Sequence, residues 1–351
     1  MEIQPRQKAR ATRRLFQRRR CPGPAQPQRR ALFLPRCGAP ACRTPERIWI
    51  MRRIAKHIVR RGLWHGLAAA LACSPAMAQH EAEHQHPPRA IAGTKTQGSH
   101  VEVDGARIWY ASIGHGTPVV LLHGGMASSR SWDGQVPALV AAGYRVILID
   151  SRGHGRSTLG PHPLRYELLA DDVRAVLAHL HLARPIVIGW SDGGIVALML
   201  AMRGNARPCA VYAFGANMDK ASVRPGADDA PILATIVPRL AADYAALAPD
   251  PNGFGRLAEA TRAMQAAQQD IGPAQLATIR TAVTIAGAED DEFILPAHFR
   301  ALAGAIPSAR LELFPTGGHF VPWKMPDRFN RSLLTFLAHA PCGRRREALQ
   351  R

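Results

Sequence analysis

The chain has 351 residues, with 45 Lys and Arg against 26 Asp and Glu, a formal charge of +19. That excess sits at one end: residues 1–78 hold 18 of the bases and two of the acids, which leaves only +3 on residues 79–351. The total charge alone would suggest a nucleic-acid binder; its distribution excludes one, and leaves 273 residues of ordinary composition, enough for one large domain.

In chain order, residues 1–50 are rich in Arg and Pro and carry no helical or strand periodicity. They are expected to be a disordered extension, an artefact of a start assigned upstream of the true one at Met51. After Met51, the basic stretch Arg52 to Arg61, an apolar run over 63–72 and Ala76-Met77-Ala78 describe a secretory signal peptide over 51–78, cleaved after Ala78. Its apolar run is too short for a stable membrane span after processing, so the periplasm or the exterior is the expected location. Cys73 leaves a lipoprotein reading open, although Ala stands where Leu is usual three residues before the Cys. Residues 79–99 read as a solvated linker, in which His80, His84 and His86 have no scaffold to hold a metal. Cys209 and Cys342 remain in the mature chain. A bridge between them is open, but the simpler reading is a buried strand thiol and a tail thiol.

The folded domain is expected over 100–340, followed by a basic tail over 341–351. Segments 101–103 and 108–110 flank Asp104-Gly105 and read as a hairpin. Short apolar strands over 118–122, 146–149 and 185–188 alternate with helical patterns over 131–142, 166–180 and 195–202. Such alternation means a parallel sheet covered on both faces. A strand over 210–214 continues it, and then the rhythm breaks. From about 219 to 280 there is no strand signal, only helical patches over 232–247 and 257–268. That is too long for a bare loop and reads as an inserted helical lid. Strands resume over 282–286 and 311–314, and a helix over 327–337 closes the domain.

The chemistry centres on Gly189-Trp190-Ser191-Asp192-Gly193, a G-x-S-x-G nucleophile elbow between a buried strand and a helix. The turn is tight enough to require small residues beside the Ser, and it places Ser191 at a helix N-terminus that favours negative charge. His319, on the Gly-flanked loop after the last strand, is the candidate general base. The orienting carboxylate lies in Glu289-Asp290-Asp291-Glu292. A position three residues past the strand-ending Gly287 points to Asp290, with Asp291 as the alternative. The oxyanion hole is assigned to the backbone N–H groups of Asp192 and Gly125, with Met126 as the neighbouring alternative.

Leu122-His123-Gly124-Gly125, Trp132, Asp150-Ser151-Arg152-Gly153-His154-Gly155-Arg156-Ser157, the elbow, the Gly287 turn and His319 together resemble the α/β-hydrolase-fold serine hydrolases, over about 100–338. The resemblance implies an α/β-hydrolase fold: a mostly parallel, doubly wound sheet with a helical lid. It also implies that Asp150 and Arg152 brace the loop below the site, as an ion pair in the simplest arrangement. The elbow further resembles that of valacyclovir-hydrolase-type esterases, in which the acid after the nucleophile favours amino-bearing esters; by that likeness Asp192 attracts a cationic substrate. The residues alone favour local packing of Asp192 at the helix N-terminus.

The function read from all this is an exported hydrolase of carboxylic esters. It acts on a small acyl substrate through an acyl-enzyme, with no metal, cofactor or nucleic-acid partner. Lactonase, carbon–carbon bond hydrolase and perhydrolase chemistries share the triad. A Ser at the elbow argues against dehalogenase and epoxide hydrolase chemistry, which use an Asp there. A non-catalytic binding protein would be expected to have lost a triad residue, and none is lost. No dinucleotide fingerprint follows the first buried strand.

Overall fold

A computed structural model describes residues 97–203 and 207–342. The extension over 1–50, the signal peptide with Cys73, the cleavage site, the linker histidines and the tail from 343 lie outside the described residues.

Strands β1 (Gly98–Val103) and β2 (Ala106–Ile113) form the antiparallel hairpin. Asp104 and Gly105 both have positive φ, 46° and 72°, the geometry whose twist matches that of paired strands. The chain continues through β3 (Thr117–Leu122), α1 (Val136–Ala141), β4 (Tyr144–Ile149), α2 (Tyr166–His179), β5 (Ile186–Trp190) and α3 (Asp192–Met202). Then follow β6 (Ala210–Phe214), α4 (Leu233–Leu247), α5 (Phe254–Ala267), α6 (Pro273–Leu276), β7 (Ala282–Ala288), α7 (Pro296–Ala305), β8 (Ala309–Phe314), α8 (Val321–Lys324) and α9 (Pro326–His339). The eight strands form one sheet in the order β1-β2-β4-β3-β5-β6-β7-β8. Strands β3 to β8 run parallel, and β2 meets β4 antiparallel.

The helix expected over 131–142 is broken. Ser129–Trp132 form a 3-10 turn, capped by the Ser128 hydroxyl, and α1 starts only at Val136. Gly134 and Pro137 explain the break, since Pro is tolerated in a first helical turn but not further in.

Both faces of the sheet carry an apolar layer. One packs Leu169, Val173 and Val176 of α2, Ile195 to Ala201 of α3, and Phe299 of α7. The other packs Leu139 of α1 with Phe329 and Leu333 of α9. The segment between β6 and β7 holds α4 to α6 and spans both layers. Leu257 and Met264 of α5 join the first, and Ile236 and Leu240 of α4 join the second.

Cys209 and Cys342 are joined by a disulfide across 133 residues of sequence, with Cα atoms 5.6 Å apart. This corrects the reading of two separate thiols. Spacing along the chain could not show that the end of α9 returns to the start of β6.

Candidate active site

Ser191 follows β5 directly and precedes α3, with φ 55° and ψ −121°, a left-handed conformation for a residue that carries a side chain. Its N–H donates to Phe214 O at 2.8 Å, which fixes the turn against the end of β6. The flanking glycines are dictated by space. A Cβ on Gly189 would overlap the Gly193 carbonyl, and one on Gly193 would overlap the Leu122 carbonyl. Ser191 is partly accessible, between neighbours in the chain that are buried.

His319 sits on a 3-10 turn after Gly317 and Gly318, both with positive φ, and is 5% exposed. Its ring lies against Gly215, the residue after β6, with Cε1 2.8 Å from where a Cβ would stand. Trp190, one residue before Ser191, donates its indole N–H to His319 O at 3.0 Å. The structure therefore brings Ser191 and His319 to the same end of β5 and β6.

The carboxylate beside His319 belongs to Asp291, not to Asp290. Asp291 Oδ2 lies 2.9 Å from His319 Nδ1, and its Oδ1 accepts from the N–H groups of Phe293 and Ile294, both at 2.8 Å. Asp290 is exposed instead, and its two oxygens accept from Gly317 N at 3.1 Å and Gly318 N at 2.9 Å. The count from Gly287 fails because β7 runs on to Ala288, and the turn that follows buries the second Asp rather than the first. Glu292 also serves the loop, accepting from His319 N at 2.6 Å and pairing with Lys324 at 3.1 Å. Burial lowers the His319 pKa, but the charge and hydrogen bond of Asp291, then Glu292 and Asp192, outweigh it and leave the ring above its ordinary value.

The loop after β3 lies against the elbow. A Cβ on Gly124 would stand 3.1 Å from Ser191 Cβ and 3.8 Å from Ser191 Oγ. Met126, at φ 59°, donates its N–H to His154 Nε2 at 3.1 Å, which leaves Gly125 as the candidate donor of this loop. Asp192 opens α3, and helix-start N–H groups have no intrahelical acceptor. His123 and His154 hold the loop from below. Each sets Nδ1 against a backbone carbonyl (Gly124 O and Arg152 O, both 2.8 Å), while each Nε2 accepts a backbone N–H. Burial lowers both pKa values, that of His154 to about 3.

Asp150 and Arg152 do not pair with each other. Arg152 is fully buried against Asp172, at 2.6 and 2.8 Å. Asp150 accepts from Ser129 N and Arg156 N and pairs with Arg156 at 3.3 Å.

Asp192 is buried, and its carboxylate accepts from Tyr166 Oη at 2.8 Å and Gln265 Nε2 at 3.3 Å. Burial raises its pKa against the opposing effect of both bonds. Tyr166 and Gln265 were not read from the sequence. Helical spacing marks one face of α2 and α5 but not what that face meets.

The alpha/beta hydrolase family model matches residues 119–332. A non-heme haloperoxidase of Rhodococcus erythropolis is 42% identical over 114 residues, 32% of this chain and 42% of the relative's length. A 2-hydroxy-6-oxo-6-phenylhexa-2,4-dienoate hydrolase of Burkholderia cepacia is 25% identical over 263 residues, 66% of this chain and 92% of that one. Among solved structures, Est816, described as an N-acyl homoserine lactone degrading enzyme, superposes with a TM-score of 0.57 at 27% identity, covering 68% of this chain and 99% of its own. The elbow, the sheet order and the family match over 119–332 agree, and the chain belongs to the alpha/beta hydrolase family.

Proposed function

We propose that the protein is an exported serine hydrolase of carboxylic esters, lactones included. The observation that carries this reading is His319 Nδ1 held at 2.9 Å by buried Asp291, at the same end of β5 and β6 as the partly accessible Ser191. Asp291 fixes the tautomer in which Nε2 is free to take a proton. Ser191 Oγ attacks the acyl carbonyl as His319 takes its proton. The oxyanion is held by the N–H groups of Gly125 and Asp192, and His319 then protonates the leaving alcohol. Water, deprotonated by His319, opens the acyl-enzyme. Esters are favoured over the haloperoxidase and carbon–carbon bond chemistries named for the relatives because the triad needs no peroxide or conjugated ketone to open them. The disulfide supports export, since such bonds persist in oxidising compartments.

Ser191→Ala should abolish p-nitrophenyl acetate turnover and labelling by a fluorophosphonate while leaving thermal unfolding unchanged. Full turnover in that variant would overturn the mechanism. N-terminal sequencing of protein recovered outside the cytoplasm should begin at Gln79, and a start within 1–50 would overturn the signal-peptide assignment.

A further inference from the structure

Strand β8 ends the sheet, with β7 on one side and no strand on the other among the described residues. Phe314 O accepts from Glu289 N on the β7 side. Backbone groups turn the same way at every second residue of a strand, so Arg310, Glu312 and Phe314 address β7, while Leu311 and Leu313 address the open edge. Neither Leu311 nor Leu313 makes a backbone hydrogen bond outside the sheet among the described residues. Ala309 also turns its carbonyl to the open edge, and its N–H is taken by Ile306 O at 3.0 Å.

The side chains alternate too. Leu311 stands on one face and is 41% exposed, one of two large apolar residues so placed among the described residues. Arg310 and Glu312 stand on the other face. Arg310 forms no ion pair among the described residues. Glu312 accepts from Ser332 Oγ at 2.6 Å and Tyr212 Oη at 3.2 Å, both at Oε2, which leaves Oε1 free. Arg328 and Arg331 of α9 line the groove on this side and make it net positive, so a partner has to bring an acid to it.

An open edge pairs readily with another strand, and charges placed along it commonly prevent this. The order Arg310-Leu311-Glu312 makes that prevention selective. Antiparallel pairing of two copies about a two-fold axis at Leu311 sets Leu311 against Leu311 as a hydrogen-bonded pair. It also sets Ala309 against Leu313, and Arg310 against Glu312 on both sides of the axis. Four backbone bonds result, two between the Leu311 residues and two from Leu313 N–H to Ala309 O. An axis one residue either way sets Arg310 against Arg310 or Glu312 against Glu312, and like charges directly opposite are destabilising. We propose that β8 is the contact surface of a homodimer, in which two copies join their sheets edge to edge in this register. The pairing does not depend on the ester-hydrolase reading.

Sedimentation velocity of the full chain over a concentration series tests it, with thermal unfolding as the check of fold. The parent should sediment as a dimer that dissociates on dilution. Arg310→Glu sets acid against acid and Glu312→Arg sets base against base, so each should weaken self-association by about tenfold or more. Mixed in equal amounts, the two variants should form a one-to-one dimer at concentrations where neither associates alone. Leu311→Lys changes an exposed side chain on the axis and should give a folded monomer. Glu312→Arg also gives up the bonds to Ser332 and Tyr212; if its unfolding transition is lost, Arg310→Glu and Leu311→Lys decide by themselves. A parent that is monomeric at every concentration overturns the proposal. So does a dimer that survives Arg310→Glu and Leu311→Lys, or a pair of folded charge variants that fail to associate when mixed.

Discussion

Asp290 and Asp291 are adjacent carboxylates on one turn with opposite surroundings, so exchanging each for its amide separates orientation of the base from support of its loop. Asp291 meets the His319 ring, whereas Asp290 meets only backbone N–H groups of Gly317 and Gly318. Asp291→Asn can keep its oxygen on the Phe293 and Ile294 N–H groups but then turns an amide N–H toward His319 Nδ1, which favours the wrong imidazole tautomer and should cost about 10⁴ in kcat. Asp290→Asn keeps an acceptor oxygen for the loop and should cost about tenfold or less. Ester kinetics on the two variants side by side decide this, and equal losses would remove Asp291 from its assigned role. The same contact sets the pH dependence. In the proposed mechanism His319 must be neutral to accept the Ser191 proton. Burial alone would lower its pKa, but Asp291 and then Glu292 and Asp192 raise it. Activity should therefore fall as pH drops through a value above the ordinary 6.5. The kcat/KM profile reports this pKa for the free enzyme, and an acid limb centred below 6.5 would contradict it.

At the scale of elements, the loop after β3 is held in its left-handed turn at Met126 by a histidine that must stay neutral. His154 titrates near 3 in the fold because of burial, then the nearby His123, against an ordinary value of 6.5. A lowered folded pKa means that protons bind the unfolded chain more readily. The stabilisation is complete above pH 6.5 and drains away as pH falls toward about 3. His154→Gln keeps an acceptor for Met126 N–H but cannot titrate. Across that window its stability should fall less steeply than the parent's, by up to about 1.4 kcal/mol per pH unit. Denaturant unfolding at several pH values measures the two slopes, and parallel slopes would rule the device out. His154 lies in a motif legible from the sequence, but its task does not, and the same division runs through the site. The elbow could be read because backbone crowding at Gly189 and Gly193 admits no other residue type. The strands could be read because full burial leaves continuous apolar runs. The choice of Asp291 over Asp290 could not, since a one-residue difference in where β7 ends decides which of two neighbouring acids is buried. Gln265 could not, because α5 is inserted between strands and its sequence carries no record of what it covers.

For the whole molecule, two sets of long-range ties close the domain. The segment between β6 and β7 is pinned through α4. Asp243 pairs with Arg130 at 3.0 Å, and the Arg239 guanidinium lies 3.9 Å from the Trp323 ring centroid. The far end of the chain is pinned by the disulfide, which joins the residue before β6 to the turn after α9. In the chain-entropy picture a closed loop of 133 residues restricts the unfolded state by about 5 kcal/mol, and measured effects are typically about 2–4 kcal/mol. For a domain of this size each kcal/mol moves Tm by about 2–4 °C, so Cys342→Ala should lower Tm by roughly 5–10 °C. The bond lies at the start of β6, whereas Ser191 is anchored at its end through Phe214 O. Ester turnover well below Tm should therefore be nearly unchanged by the same substitution. Thermal unfolding of the parent with and without reductant, beside Cys342→Ala under both conditions, isolates the contribution. Reductant should bring the parent down to the variant and leave the variant where it was. A parent Tm that does not move under full reduction would show that the bridge adds nothing to stability.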